Sequence, residues 1–385
     1  MVALLSPATM VCGCTCGDDA AAPAVATVAA DAPPPAAIDA APRKGPWFAV
    51  VNGLTDVTHI AAGYSHVCAI AGAGKVYCWG RNDAGQLGNG STVNVTTPVA
   101  VKLPFAATMI DAGYDRTCAA AADGRVACWG KAAGKKNAPS LVPVVVGKVR
   151  GLRAISSGLG FSCVAAPKSG VQCFGAGDHR ELGKENRKAS TKPVKIAGTV
   201  GATDVAASWH HACAVVGTKV ICWGESPAAR LTNRDEWTAD TQKPRPVAGL
   251  PPAREVFSTR DKTCAITVDG HVWCWGHGVL HKHAPAAMRQ PVIHPSLSKV
   301  VGLAIGPVNA CALGTDGVMT CWGAFGAGGI ISTPRPIEGM GEVLEIDEGY
   351  QHTCAVRKDH TVACFGNNKW GQLGNGTWGS YLAPY

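Results

Sequence analysis

The sequence predicts an all-β repeat protein, and three observations carry that prediction. Fourteen of the 17 cysteines stand as seven regularly spaced pairs, and an aromatic-Gly dipeptide follows the second cysteine of every pair. The 47 glycines and 25 prolines among 385 residues, beside only 16% charged and 6% aromatic residues, suit tight turns between short strands and suit a helical bundle poorly. Length alone suggests two or three domains, but a repeat array fills the same length as one unit. No stretch approaches the roughly 18 apolar residues of a membrane-spanning helix. Seventeen cysteines are too many for a reducing cytosol unless they bind metal or do chemistry, so their spacing is informative.

The pairs are Cys68/Cys78, Cys118/Cys128, Cys163/Cys173, Cys213/Cys222, Cys264/Cys274, Cys311/Cys321 and Cys354/Cys364. Six are ten residues apart, one is nine apart, and first members recur every 43 to 51 residues. The residue after each second cysteine is Trp79, Trp129, Phe174, Trp223, Trp275, Trp322 or Phe365, always followed by Gly. Eight residues before each first cysteine stands an aliphatic: Ile60, Ile110, Ile155, Val205, Val256, Leu303 or Ile346. Five before it stands Gly63, Gly113, Gly158, Gly306 or Gly349, replaced by Ser208 and Thr259 in the fourth and fifth copies. A Pro-Val entry precedes the aliphatic marker, as in Pro98-Val99, Pro143-Val144, Pro193-Val194 and Pro291-Val292.

Each copy reads as short strands joined by turns. Asp123-Gly124, between Cys118 and Cys128, is a hairpin signal flanked by strand-like runs. A spacing of ten calls for an odd loop, three residues with Gly in the left-handed region; the spacing of nine in the fourth copy suits a two-residue turn at Gly217-Thr218. Both parities set the two cysteines directly opposite across an antiparallel pair, where Cα atoms lie about 4.5 Å apart, at the short end of disulfide geometry. Seven cross-strand disulfides in the pairing given above are therefore expected, each contributing roughly 2.5–3 kcal/mol in the chain-entropy treatment. Buried free thiols and metal ligation are the alternatives. Metal is opposed by the lack of any C-x2-C knuckle among these fourteen.

The segments Ala62-Gly-Tyr-Ser-His-Val-Cys68 and Cys78-Trp-Gly-Arg-Asn-Asp-Ala-Gly-Gln-Leu-Gly-Asn-Gly90 resemble the regulator-of-chromosome-condensation repeat. The last copy, Glu348-Gly-Tyr-Gln-His-Thr-Cys354 with Trp370-Gly-Gln-Leu-Gly-Asn-Gly376, resembles it nearly as well. The resemblance extends over residues 47–385. It implies a seven-bladed β-propeller of four-stranded blades, where the period alone would allow another propeller or a solenoid. The paired cysteines resemble the variant found in extracytoplasmic bacterial members. Ring closure is expected where the strand-like Pro46-Trp-Phe-Ala-Val-Val51 meets the end of the chain at Leu382-Ala-Pro-Tyr385 in one blade.

Residues 17–46 are rich in Ala, Pro and Asp and almost devoid of large apolar side chains, so a disordered linker is expected. Residues 1–16 are apolar and then cysteine-rich, and with that linker resemble a bacterial lipoprotein export signal. Gly13 before Cys14 makes Cys14 the better lipidation candidate and Cys12 the alternative. The segment lacks the basic stretch that opens export signals, which points to a start upstream of Met1 or to a vestigial signal.

No nucleotide-binding glycine fingerprint, Gly-x-Ser-x-Gly elbow or His-Glu-x-x-His motif is present. The 27 acidic residues show no repeated placement that suggests paired catalytic carboxylates, so no enzyme and no cofactor are expected. His66, His211 and His352 share one repeat position, filled elsewhere by Arg116, Phe161, Lys262 and Asn309, and are read as structural. His277, His281 and His283 replace the Gly-Gln-Leu-Gly segment of their copy and are weak metal candidates, a solvated loop being the better reading. Residues 131–195 carry 13 Lys/Arg, including Lys135, Lys136, Lys184, Arg187 and Lys188, against Asp178, Glu181 and Glu185. That charge is read as a solvated basic surface or as a polyanion patch on the second and third blades; no aromatic ladder interleaves it, against specific nucleic-acid binding.

The functional expectation is a non-enzymatic, monomeric, extracytoplasmic propeller in the bacterial envelope or secreted. A membrane is involved only through a lipid anchor, and one loop face meets an unknown protein or glycan. By family analogy the alternative is a guanine-nucleotide-exchange factor for a small GTPase, which the cysteines oppose. A propeller enzyme acting on glycans is the third, and needs acids converging near the axis.

Overall fold

Hairpin parity builds the fold from the centre of each repeat outward. In the computed structural model, described over residues 48–131, 138–183, 187–225, 243–260, 262–277, 287–325 and 330–379, the two cysteines of every pair are direct cross-strand neighbours. All seven are disulfide-bonded in the expected pairing: Cys68–Cys78, Cys118–Cys128, Cys163–Cys173, Cys213–Cys222, Cys264–Cys274, Cys311–Cys321 and Cys354–Cys364. Their Cα–Cα distances are 4.0–4.2 Å, a little closer than the spacing expected for an unbridged pair. The loops follow the spacing. Gly74, Gly124, Gly270 and Gly317 take the left-handed region in three-residue loops, and Gly217 does so in the two-residue loop of the short pair. In the last copy His360 holds that region instead of Gly, at φ 59°.

Seven four-stranded antiparallel sheets result. Blade one is Val57–Ala62, His66–Ala71, Lys75–Gly80 and Val95–Val101; blade two is Met109–Ala112, Arg116–Ala120, Arg125–Gly130 and Ser140–Lys148. Blade three is Ala154–Ser157, Phe161–Ala166, Gly170–Gly175 and Ser190–Lys195; blade four is Ala202–Ala207, His211–Val216, Lys219–Gly224 and Arg245–Pro246. Blade five is Ala253–Thr259, Lys262–Thr267, Val272–His277 and Ala287–Ile293; blade six is Val300–Ile305, Asn309–Gly314, Met319–Ala324 and Ile330–Pro336. Blade seven is Val343–Glu348, His352–Arg357, Val362–Gly366 and, from the other end of the chain, Ala49–Val50. The first strands touch one another in an unbroken ring, so they line the axis of a seven-bladed β-propeller.

The Pro-Val elements belong to outer strands: Val99, Val144, Val194 and Val292 face Cys78, Cys128, Cys173 and Cys274, the second cysteines of their blades. Blades four and six depart from that pattern, with Arg245 opposite Cys222 and Arg335 opposite Cys321. An outer edge is where a proline costs no ladder hydrogen bond.

The core lies between blades. The aromatic after each second cysteine is buried against the disulfide of the preceding blade: Trp129 clusters with Cys68 and Cys78, Phe174 with Cys118 and Cys128, and Trp223 with Cys163 and Cys173. Trp275 does the same with Cys213 and Cys222, and Trp79 with Cys354 and Cys364, which carries the pattern across the closure. Between blades five, six and seven the layers merge: Trp322 and Phe365 share one larger cluster with Cys264, Cys274, Cys311 and Cys321. Each such ring removes about 150–250 Å² from water, worth about 4–6 kcal/mol at about 25 cal/mol per Å². Indole N–H groups of Trp79, Trp129 and Trp223 donate to the carbonyls of Gln372, Gln86 and Glu181 at 2.8–2.9 Å, all in the preceding blade's loop. The Gly-Gln-Leu-Gly signature thus receives the neighbour's tryptophan.

The expected ring closure is present at its N-terminal side. Ala49 pairs with Cys364 and Val50 with Ala363, the Val51 N–H donates to Val362 O at 2.9 Å, and Phe48, Val51 and Leu54 are buried. The expected partner segment at 382–385 lies outside the described residues, as do the expected export signal and linker. Each of the three buried side chains is worth about 1.5–3 kcal/mol. Deleting residues 48–54 should therefore lower the thermal midpoint by about 10 °C or more. A melt unchanged by the deletion refutes the latch.

Candidate binding face at the axial mouth

The turns between first and second strands gather at one end of the axis. Their glycines are dictated by close approach: a Cβ on Gly113 would collide with the Gly158 carbonyl, one on Gly158 with that of Ser208, and one on Gly349 with that of Gly63. The backbone is held turn to turn, with N–H groups of Tyr64, Leu159 and Tyr350 donating to the carbonyls of Gly113, Ser208 and Tyr64 at 3.1–3.2 Å. Blades four and five lack the glycine, and there the Ser208 hydroxyl donates to Arg260 O at 2.8 Å.

Because backbone closes the ring, the next residue of each turn is free to differ. These are Tyr64, Tyr114, Leu159, Trp209, Arg260, Pro307 and Tyr350, each at least partly exposed. With Glu348 and the small turn residues, six of them border a depression of about 100 Å³. Tyr64 lies between Tyr114 and Tyr350, with ring centroids 4.0 and 4.4 Å away. Trp209 meets Tyr114 edge-on at 5.8 Å, and the Arg260 guanidinium lies 4.8 Å from the Trp209 ring centre. Burial, then the neighbouring phenols, pushes the Tyr64 hydroxyl well above its usual range.

Beside the mouth, the blade-three loop meets blade four through facing rings of His179 and His210, 3.8 Å apart. His179 Nδ1 lies 2.8 Å from Glu225 Oε2, Arg187 lies 3.6 Å from the same carboxylate, and His210 lies 3.9 Å from buried Glu181. Among the described residues no group of three or more His, Cys, Asp or Glu side chains is arranged to hold a metal. On the blade-seven side, Arg81 and Lys369 lie over the Trp370 ring at 5.4 and 5.0 Å, and Trp378 is 53% exposed.

The paired cysteines take no part in this face. Their side chains, including those of Cys264–Cys274 and Cys311–Cys321, are buried between blades, where they serve packing rather than binding. The repeat-position histidines are structural, as expected. His66 Nε2 lies 2.8 Å from the Thr117 hydroxyl and His211 Nε2 2.9 Å from that of Thr263, each in the next blade. Arg116 makes the same cross-blade link to Ser162 through Nε at 2.9 Å. Burial holds His66 at about 3 and His211 and His352 at about 4, so these rings are neutral. Arg187 and Lys188 are exposed on blade three. Lys135, Lys136, Lys184, His281, His283, Cys12 and Cys14 lie outside the described residues, and of His277 only the backbone is described.

Acids on the axial strands escaped the sequence reading. The Ala62 N–H donates to Asp347 Oδ2 at 2.7 Å, the Ser157 N–H to Asp111 Oδ2 at 2.6 Å, and the Ala207 N–H to the Ser156 hydroxyl at 2.9 Å. In each case the residue after the aliphatic marker accepts from the next blade. Asp204 and Glu345, one residue before the marker, accept from Val256 and Ile60 in the same sense. Side chains from one inner edge thus satisfy backbone donors of the next, a need set by the sheet edge itself. Burial pushes Asp347 up to about 8, reinforced by the Asp111 charge; burial also pushes Asp111 to about 7 and Asp204 to about 6. These groups keep some accessible surface, but they sit on the first strands packed around the axis, so desolvation dominates.

Comparison with known proteins agrees with this architecture. Two models of the Regulator of chromosome condensation (RCC1) repeat match, one at residues 73–120 and one at residues 57–86 and 346–372. Human E3 ubiquitin-protein ligase HERC2 is 29% identical over 350 residues, spanning 81% of this chain and only 7% of that protein. Ultraviolet-B receptor UVR8 of Arabidopsis thaliana is 26% identical over 349 residues, 82% of this chain and 78% of that one. Among solved structures, human WBSCR16 superposes with a TM-score of 0.68 at 19% identity, over 80% of this chain and 86% of that chain. The repeat family and the propeller fold are thereby supported.

The axial acids make stability depend on pH in a definable direction. A carboxyl whose folded pKa is raised contributes stability that is present below its unfolded value, about 3.9, and lost as pH rises through the folded value. The buried histidines act oppositely, but only below their unfolded value of about 6.5. Between about pH 6.5 and 7.5 the carboxyls of Asp111 and Asp347, with that of Glu348, which burial raises well above the usual carboxylate range, therefore dominate, before buried Lys262, lowered to about 8 by burial, loses its proton. The melting temperature should fall across that window, and fall less in an Asp111→Asn, Asp347→Asn variant, where Glu348 remains. A wild-type melt that is level there contradicts the desolvated carboxyls.

Proposed function

We propose that this chain is a non-enzymatic protein-binding module, held outside the cytoplasmic membrane by a lipid on Cys14, and that its loop face grips a protein partner at the axial mouth. The observation that carries this reading is the half-exposed cluster of Tyr64, Tyr114, Tyr350 and Trp209 with Arg260 laid over it. Aromatic and Arg side chains of this kind dominate the binding energy of protein interfaces. A glycan needs an open aromatic face on which to stack, whereas both faces of Tyr64 are covered by its neighbours. The axial carboxylates are engaged by backbone N–H groups of adjoining strands, which favours a structural role over glycan hydrolysis.

Disulfide chemistry supports this compartment. Seven disulfides with every sulfur buried suit an oxidising environment, and an exchange factor for a cytosolic GTPase would not meet one. The relatives' names, a ubiquitin ligase and a light receptor, describe those proteins and differ from each other.

Two measurements test the reading. Intact-mass analysis of protein fractionated from its native cell should show an acyl increment at Cys14 and fourteen thiols missing. Unmodified soluble protein with free thiols would return the exchange-factor alternative. For the face, a photo-crosslinking residue placed at Arg260 should trap a protein in those cells, whereas one at Lys102, on the opposite end of blade one, should not. A Trp209→Ala change should abolish the trapping, and trapping equal at both positions rules out the mouth.

A further inference from the structure

Away from the mouth, the outer rim of blades two and three combines two features. The outer strand of blade two exposes large aliphatic side chains, Val142 at 51% and Val145 at 50%. The corresponding strand of blade one exposes Thr97 and Ala100, and that of blade six Ser332, Thr333, Arg335 and Pro336. The outer strand of blade three runs alongside, with Pro193 packed against Gly147, and exposes Lys192 and Lys195. It leads to Val200, 70% exposed, where the Gly201 N–H donates to Pro167 O at 2.8 Å and sets Val200 near exposed Lys168.

Three cations of this rim lack an acidic partner among the described residues. Of the acids in residues 131–195 that are described, Glu181 is buried and faces His210, leaving Asp178 as the exposed one. Asp123 of blade two is engaged by Arg125 and Lys148. Lys168, Lys192 and Lys195 have no acidic group within ion-pair distance among the described residues.

From this arrangement we propose that the rim of blades two and three docks on an anionic lipid surface, with the lysines on phosphate headgroups and the valines at the headgroup–acyl boundary. Charge complementarity selects an anionic partner. Exposed aliphatics on the strand beside the cations distinguish a lipid surface from a soluble polyanion, which gains nothing from them. The docking is independent of any acyl chain on the N-terminal cysteines and of the partner at the mouth.

The test uses the full chain with Cys12, Cys14 and Cys16 changed to Ser, so that no acyl chain contributes. Its sedimentation is measured with vesicles of one part phosphatidylglycerol to two parts phosphatidylcholine, and with phosphatidylcholine alone. Binding is expected to the anionic vesicles, weakening with salt, and little to the neutral ones. A Lys168→Gln, Lys192→Gln, Lys195→Gln variant should lose about 100-fold in affinity, each basic group near such a surface being worth about fivefold. A Val142→Ser, Val145→Ser, Val200→Ser variant should lose about tenfold with its melt unchanged. A control, Lys75→Gln, Lys102→Gln, Lys299→Gln, alters exposed lysines elsewhere and should bind as the parent does. The proposal is overturned if the control loses as much as the rim variant, or if the parent ignores anionic vesicles. It is equally overturned if the parent binds a single-stranded oligonucleotide through the lysines while the valine changes have no effect on vesicles.

Discussion

The fold depends on one contact made around the ring: the aromatic of each blade seated on the disulfide of the blade before it. The contact is directional, since Trp129 needs Cys68–Cys78 and Trp79 needs Cys354–Cys364. An open array would leave one ring without its seat and one disulfide without its cover, so the geometry favours closure. The cross-strand pairing keeps both sulfurs on one face of the sheet, the face that meets the ring of the following blade. The indole N–H then requires a buried acceptor, which the loop carbonyls of Gln86, Glu181 and Gln372 supply.

The second constraint acts at the axis. Seven inner strands present edges to a narrow channel, and backbone donors there have little access to water. Asp111, Asp347, Asp204, Glu345 and Ser156 meet that need by reaching to the next blade. A second ring lies one layer out, where His66, Arg116 and His211 link to hydroxyls of the following blade. Both rings run in one sense, and both hold groups in the uncharged or hydrogen-bonded form that burial tolerates. His352 shows the limit of the device: the next blade offers Val67 where others offer a hydroxyl, yet the ring stays buried and neutral.

The features legible in the sequence are those that recur in kind. Cysteine spacing gave parity, parity gave the disulfides, and the Trp-Gly and Gly-Gln-Leu-Gly elements marked the blades. The axial acceptors recur only in role: Asp111, Ser156 and Asp347 share a register position but differ in type, and Asp204 and Glu345 do the same work from two residues earlier. A search for repeated acids passes over them. Mouth residues were readable in principle, because each directly follows the aligned glycine or its replacement. They escaped because alignment emphasises what stays constant, while this position, Tyr in three copies, is Leu159, Trp209, Arg260 or Pro307 in the others. The basic run of residues 131–195 was visible as a run. Val142 and Val145 were not, since aliphatics in an outer strand look the same on paper whether they face a neighbouring blade or water.

This division of labour explains how a rigid ring can carry variable surfaces. At the mouth, closure is made by glycines and backbone hydrogen bonds, so the side chain that follows each glycine can change without loosening the ring. At the rim, the outer strand needs only its ladder to the third strand, which leaves its outward residues open to any chemistry. The two surfaces are also geometrically separate, one at the end of the axis and the other on its flank. A propeller resting on the flank of blades two and three holds its axis nearly parallel to the supporting surface, with the mouth facing sideways and unobstructed. Attachment through the rim and capture through the mouth are therefore compatible in one molecule.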